Sequence, residues 1–137
     1  MVRFFDYFDS PVKIVSSVGG GRIAWRLSSE TGGWTSADRL INKLLLVGGD
    51  EIHEISRDQF VQLTERARAH HLKGSGPVFA LYETVQAILD VQERERRQLT
   101  PTEWALVYGI RRKTFVMFER ELQATGDPGA DPTLAED

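Results

Sequence analysis

The chain has no cysteine among its 137 residues. This absence excludes disulfide bonds, thiolate metal sites, iron–sulfur clusters and cysteine nucleophiles, because each of these needs a cysteine sulfur. The sequence also lacks an apolar run of about 18 residues, so no segment is predicted to span a membrane. Hydrophobic residues make up 41% of the chain and charged residues 27%. This is the composition of a globular protein whose core needs no disulfide or metal to fold.

Lysine is scarce and the net charge is small. Arginine supplies 13 of the 17 basic residues, a bias that indicates a GC-rich bacterial or phage source. The formal charge is −3, but residues 125–137 hold four of the 20 acids and no base. Residues 1–124 therefore carry 17 bases against 16 acids, a formal charge of +1. A nearly neutral body lacks the strong positive field that draws proteins onto nucleic acid.

The N-terminal third of the chain predicts an antiparallel sheet. Residues 2–8 are rich in aromatic side chains and are interpreted as a strand or an aromatic plug. Residues 12–18 and 22–28 alternate apolar and polar side chains on either side of three glycines, which is the pattern of a β-hairpin. A short helix is predicted from about residue 36 to 46, and a short third strand over residues 51–55.

The rest of the chain predicts three helices. A capping box at Ser56 and Gln59 begins a helix that runs to about His71. An apolar stripe then predicts a helix over residues 77–98. A second capping box begins the last helix, over residues 101–124. The gap between the last two helices is short, so they are predicted to be an antiparallel hairpin.

These elements predict the α+β class. A small antiparallel sheet, made of the N-terminal hairpin and one or two short strands, is packed by helices and followed by a C-terminal antiparallel helical hairpin. Residues 1–124 are interpreted as one domain, with a subdomain boundary near residues 74–77. Residues 125–137 are interpreted as an acidic tail rich in proline and glycine, which has little to bury. If this tail is held, we expect a surface on another chain to hold it.

The last predicted helix is apolar nearly all round, so it must bury more than one face. Residues spaced 4, 3, 4, 3 and 4 apart form a seam along it, typical of a coiled-coil contact. The seam consists of Trp104, Tyr108, Arg111, Phe115, Phe118 and Leu122. Two interpretations are open: the helix is the centre of the core, or one face is covered by another chain. The seam is therefore the candidate protein interface.

Basic residues of the predicted helical hairpin supply an alternative. As nucleic-acid contacts, the three at the middle of the last helix would neutralise only about three phosphates, which is weak binding. The candidate contacts are Arg94, Arg96, Arg97, Arg111, Arg112 and Lys113. Long alkyl stems that cover apolar surface are the more ordinary role of such residues.

No catalytic constellation is evident in the sequence. His53 lies among Asp50, Glu51 and Glu54, but adjacent residues of a strand point to opposite faces, which disfavours a metal site. Residues 48–51 match four letters of the diguanylate cyclase signature, without a companion nucleotide-binding pattern, and are interpreted as a chance match. A small metal-dependent enzyme centred on His53 is therefore only a second alternative.

Together these observations predict a non-catalytic bacterial or phage protein that docks on other protein chains. It would be an assembly or structural component, or an inhibitor or immunity protein. We expect a protein partner or self-association, and no cofactor, metal, membrane or small-molecule substrate. The predicted location is the bacterial cytoplasm or a phage particle.

Overall fold

The computed structural model describes residues 1–136 and confirms the α+β class. Five strands form one antiparallel sheet in the order β4-β3-β2-β1-β5. The strands are β1 (Val2–Tyr7), β2 (Ser10–Ser16), β3 (Arg22–Leu27), β4 (Trp34–Ser36) and β5 (Ile52–Ile55). The helices are α1 (Arg57–His71), α2 (Pro77–Arg94) and α3 (Pro101–Ala124). Residues of α1 and α3 pack on the sheet, and α2 packs against α3. Among residues 1–136, none of the helices combines the length and the apolar composition that crossing a membrane requires.

The first two strands form a tight hairpin, so residues 2–8 are a strand and not a plug. Tyr7 pairs with Ser10, and the two residues between them, Phe8 and Asp9, have φ angles of 52° and 63°. Two successive positive φ angles are typical of the hairpin turn whose twist matches its strands. The predicted pairing of the next two strands is confirmed, with Val12 opposite Arg26.

The predicted helix over residues 36–46 is only partly correct. The chain forms a 3₁₀ turn at Asp38–Leu40 and a π-helical turn at Lys43–Val47. Asp38 accepts a hydrogen bond from the backbone of Ala24 at 2.7 Å, which ties the start of the segment to β3. Leu40 and Leu44 are buried, as their spacing predicts, whereas Leu46 and Val47 are exposed. The segment therefore departs from a regular helix, first to a tighter turn and then to a wider one.

Both predicted capping boxes are present, at the starts of α1 and α3. The predicted C-terminal hairpin is formed by α2 and α3, but α2 ends at Arg94 and not at residue 98. The chain leaves the helix there because Arg96 has a φ of 53°. This bend brings Arg97 back toward the first turn of α3, where it pairs with Glu103 at 2.7 Å.

Residues 125–136 pack on their own chain. Asp127 accepts a hydrogen bond from the backbone of Trp34 at 2.9 Å, and Pro132 and Leu134 are buried. Gly129 lies so close to the sheet that a Cβ there would be 2.5 Å from the Cβ of Trp34. The expectation that another chain holds this segment is therefore wrong. Its acids accept hydrogen bonds both from within the segment and from β4, and its few apolar residues pack on the sheet.

The two faces of the sheet have separate cores. One face packs against α1, α3 and the C-terminal segment, and its buried residues are Phe4, Leu27, Trp34, Phe60, Val61, Phe115 and Leu134. The other face is covered by the segment after β4, and its buried residues are Phe5, Val12, Ile14, Ala24, Ala37, Leu40 and Leu44. The first face therefore positions α1 and α3, between which both candidate sites lie.

Candidate functional site

A buried ionic cluster of Glu65, Arg68 and Glu119 joins α1 to α3. One guanidinium nitrogen of Arg68 lies 2.8 Å from a carboxylate oxygen of Glu65, and another lies 2.5 Å from Glu119. The side chains of all three residues have no exposed surface. Buried charges of this kind persist only when they are paired and hydrogen-bonded.

Other elements complete the hydrogen bonding of this cluster. The indole nitrogen of Trp34 donates to Glu119 at 3.0 Å, and so does the backbone nitrogen of Asp131. The hydroxyl of Tyr82 donates to Glu65 at 2.8 Å, and Arg68 donates to the carbonyl of Gly32 at 3.0 Å. The cluster therefore holds all three helices, β4 and the C-terminal segment together.

Several pKa values are shifted in and around the cluster. Burial raises the pKa of Glu65. Burial also acts to lower the pKa of Arg68, but the carboxylates of Glu65 and Glu119 outweigh it and raise that pKa. Burial lowers the pKa of the neighbouring Lys13, whose ammonium lies 4.9 Å from the ring of Trp34. Shifted pKa values often mark functional sites, but here the charges are enclosed and satisfy one another, which is a structural arrangement.

A groove of about 530 Å³ lies on the surface between α1 and the N-terminal half of α3. From α1 it is lined by Asp58, Gln62 and Arg66, which repeat every fourth residue and so share one face of the helix. Gln62 donates from its amide to the carbonyl oxygen of Tyr108 at 3.1 Å, which fixes the spacing of the two helices. Its own amide oxygen is buried and accepts no hydrogen bond from residues 1–136.

Two stacked aromatic side chains form the α3 wall of the groove, and we call them the aromatic shelf. The rings of Trp104 and Tyr108 lie 5.2 Å apart between centroids, with 22° between their planes. Their exposed fractions are 38% and 41%. The stacked rings therefore present a partly exposed aromatic surface to the groove.

Arg111 lies one helical turn beyond the shelf and is half-buried. No carboxylate of residues 1–136 forms an ion pair with it, nor with Arg66 across the groove. Burial lowers the pKa of Arg111, and the positive charge of Arg66 lowers it further. Tyr108 and Glu65 counter this lowering only in part, so the groove holds a partly desolvated cation that forms no ion pair within residues 1–136.

The structure divides the predicted seam of α3. Trp104, Tyr108 and Arg111 line the groove. Phe115 is fully buried in the core of its own chain, so it offers no surface to a partner and is removed from the predicted interface. Phe118 and Leu122 are half-buried and also belong to this core: the ring of Phe118 lies 4.2 Å from the guanidinium of Arg68, and Leu122 packs against the core.

The predicted nucleic-acid contacts do not form one patch. Arg94, Arg96 and Arg97 lie at the connection between α2 and α3, and Arg97 is engaged by Glu95 and Glu103. The remaining three, residues 111–113, lie about 15 Å further along α3, given the rise of a helix. The two groups are therefore separate, and only Arg111 and Arg112 border the groove.

The residues around His53 show no convergence on a metal position. Within residues 1–136, no group of three or more His, Asp or Glu side chains is arranged to hold a metal ion. His53 pairs with Asp6 across β5 and β1, and Glu54 forms an ion pair with Arg3 at 2.7 Å.

The α1 wall of the groove was not predicted from the sequence. Asp58, Gln62 and Arg66 show only a polar stripe on a helix, and such stripes usually face solvent. Their role depends on how α1 lies against α3, which a single sequence does not reveal. The signal available in the sequence was that these polar residues recur at every fourth position, on the side of the helix opposite its apolar stripe. Comparison of the chain with protein-family models, with curated proteins and with solved structures found no match.

Proposed function

We propose that this chain is a non-catalytic protein that acts by docking on another protein, and that the groove between α1 and α3 is its docking surface. The observation that carries the proposal is the exposed aromatic shelf of Trp104 and Tyr108 beside Arg111, which forms no ion pair within residues 1–136. Tryptophan, tyrosine and arginine are the residues that supply most of the binding energy at protein interfaces. A central core role would have buried the shelf, whereas both rings keep more than a third of their surface exposed.

The proposed source, location and type of docking protein rest on more general observations. The high share of arginine among the bases favours a bacterial or phage source, with a location in the cytoplasm or in a phage particle. The docking role fits an assembly component or an inhibitor or immunity protein equally well. A nucleic-acid role is less favoured because the candidate basic residues are divided between two places.

Photo-crosslinking in the source cell tests the proposal. A benzophenone amino acid replaces Tyr108 in the groove or, as a matched control, Leu106, which is 52% exposed on the same helix but does not line the groove. We expect a discrete crosslinked protein from position 108 and none from position 106. Crosslinks of equal pattern and yield at both positions, or none at position 108, would contradict a docking role for the groove.

A further inference from the structure

The charged side chains that line the groove do not balance one another. Its cationic side chains are Arg66, Arg111 and Arg112, and its anionic side chains are Asp6 and Asp58. Asp6 already accepts a hydrogen bond from the backbone of Asp9 at 2.8 Å, which holds it at the β1–β2 turn. The formal charge of the lining is therefore +1, concentrated near Arg111.

This balance distinguishes between two kinds of anionic ligand. A nucleic-acid strand carries a phosphate at every nucleotide, and strong binding needs several of them to be neutralised. Along this groove, successive phosphates would come close to Asp6 and Asp58. A peptide can instead place one carboxylate at Arg111 and leave the rest of its length uncharged. An arginine that is already partly desolvated gains more from such a charge-assisted contact than an arginine in bulk solvent.

The apolar part of the groove adds a second requirement. The aromatic shelf lies one turn before Arg111 on the same face of α3, since Trp104, Tyr108 and Arg111 are spaced by four and three residues. A ligand that reaches both must therefore carry an apolar side chain about one helical turn, roughly 5 Å, from its carboxylate. Neighbouring residues of a peptide meet this requirement.

We propose that the groove binds an acidic segment of a partner protein, with an Asp or Glu carboxylate on Arg111 and an adjacent apolar side chain on the shelf of Trp104 and Tyr108. This inference rests on the proposed docking function and specifies the chemistry of the partner. The contact would neutralise Arg111 and cover the exposed rings in one step. Arg66 adds to the field that attracts the carboxylate, from the opposite wall.

Selection of peptides on the full-length protein tests this chemistry. The probe is a library of random 12-residue peptides displayed on phage, followed by fluorescence anisotropy of the enriched sequences as synthetic peptides. We expect enrichment of an Asp or Glu next to Leu, Phe or Trp. Replacing that acid by its amide should weaken binding at least tenfold. Enrichment of peptides that lack an acid, or no enrichment at all, would overturn the inference.

Variants of the protein locate the contact. Arg111→Gln and Trp104→Ala should each weaken binding of the selected peptide at least tenfold. Leu106→Ala should weaken it less than twofold. In the Arg111→Gln protein, the acid-to-amide change in the peptide should cause no further loss, because the two groups act as a pair. Additive losses would show that the carboxylate binds elsewhere and would overturn the assignment. Thermal unfolding of each variant confirms that it is folded.

Two further outcomes separate this inference from the proposed function. If peptides without an acid bind the groove and crosslinking at position 108 still captures a protein, the partner chemistry is wrong but the docking role holds. If a dT12 oligonucleotide binds more tightly than the selected peptides and depends on Trp104 and Arg111, the ligand is a nucleic acid and both proposals fail.

Discussion

The two halves of α3 have the same spacing of large side chains, but these side chains line a surface groove in one half and are buried in the core in the other. Tyr108 and Phe115 occupy equivalent places in the repeat, seven residues apart. Tyr108 is 41% exposed and stacks on Trp104, whereas Phe115 has no exposed surface. Glu119, one turn further on, is buried in the ionic cluster. One periodic pattern thus serves a surface groove and a core.

The difference arises from what lies opposite each half of the helix. The C-terminal half faces the sheet, the C-terminal segment and the cation of α1, Arg68. The groove side of the N-terminal half, which carries Trp104 and Tyr108, is separated from α1 by the open groove, whereas Val107 on another side of the same half is buried. The groove therefore leaves part of the aromatic surface of α3 uncovered, at Trp104 and Tyr108.

The largest expected effect concerns Arg68. Arg68→Met leaves the carboxylates of Glu65 and Glu119 buried without their cation, and we expect a loss of about 3–5 kcal/mol in the free energy of unfolding. Arg66→Met is the matched control, because Arg66 lies on the exposed face of the same helix. Its expected effect is below about 0.5 kcal/mol. Chemical denaturation measures both, and equal losses would show that the cluster is not the centre of the fold.

An effect of similar size compares the two equivalent aromatic residues of α3. Phe115→Ala removes a fully buried ring, and we expect a loss of roughly 3–5 kcal/mol. Tyr108→Ala removes a ring that is partly exposed and should cost less than about 1 kcal/mol. The same denaturation measurement applies. A loss for Tyr108→Ala that matches that for Phe115→Ala would place both halves of the helix in the core.

A smaller effect tests whether the C-terminal segment covers the sheet. In Gly129→Ala the new Cβ would lie 2.5 Å from the Cβ of Trp34, so the segment must shift. We expect a loss of about 1–3 kcal/mol, typical of overpacking. Gly19→Ala is the control, because nothing lies within 4 Å of its Cβ position. If both variants are as stable as the parent, the segment is not packed on this face.

The smallest effect concerns the start of the exposed half of α3. Hydrogen bonds from Arg97 lower the pKa of Glu103 from its ordinary value of 4.5 to about 2. Because the folded pKa is below the ordinary value, ionised Glu103 stabilises the fold above pH 4.5, and this contribution is lost as the pH falls toward 2.

Glu103→Gln removes this titration but keeps an acceptor for the capping box. We expect the variant to be less stable than the parent at neutral pH, with the difference vanishing near pH 2. Thermal unfolding followed over this pH range is the measurement. A difference that does not change with pH would show that the ion pair with Arg97 does not operate.

Local signals predicted much of the fold. The capping boxes at Ser56 and Thr100 each lie within four residues, so a single sequence contains all the information they need. The alternation in β2 and β3 is equally local. The three-residue strand β4 was missed because it is too short to show alternation, and its pairing depends on β3.

The cluster and the groove could not be predicted in the same way. Arg68 and Glu119 are 51 residues apart, and nothing near either one marks it as buried. The C-terminal segment was misjudged because its composition resembles that of disordered chains, whereas Leu134 and Gly129 find specific places on the sheet. The groove residues on α3 were identified as candidates from the sequence. The α1 wall was not, because it depends on how α1 lies against α3.

Quenching of Trp104 fluorescence tests directly whether the groove at the N-terminal half of α3 is open and positively charged. The signal of Trp104 is the difference between the parent protein and Trp104→Phe. We predict that iodide quenches this signal more strongly than caesium at low ionic strength, and that Arg111→Gln removes the advantage of iodide. A Trp104 signal that neither ion quenches, or that both quench equally, would contradict the account.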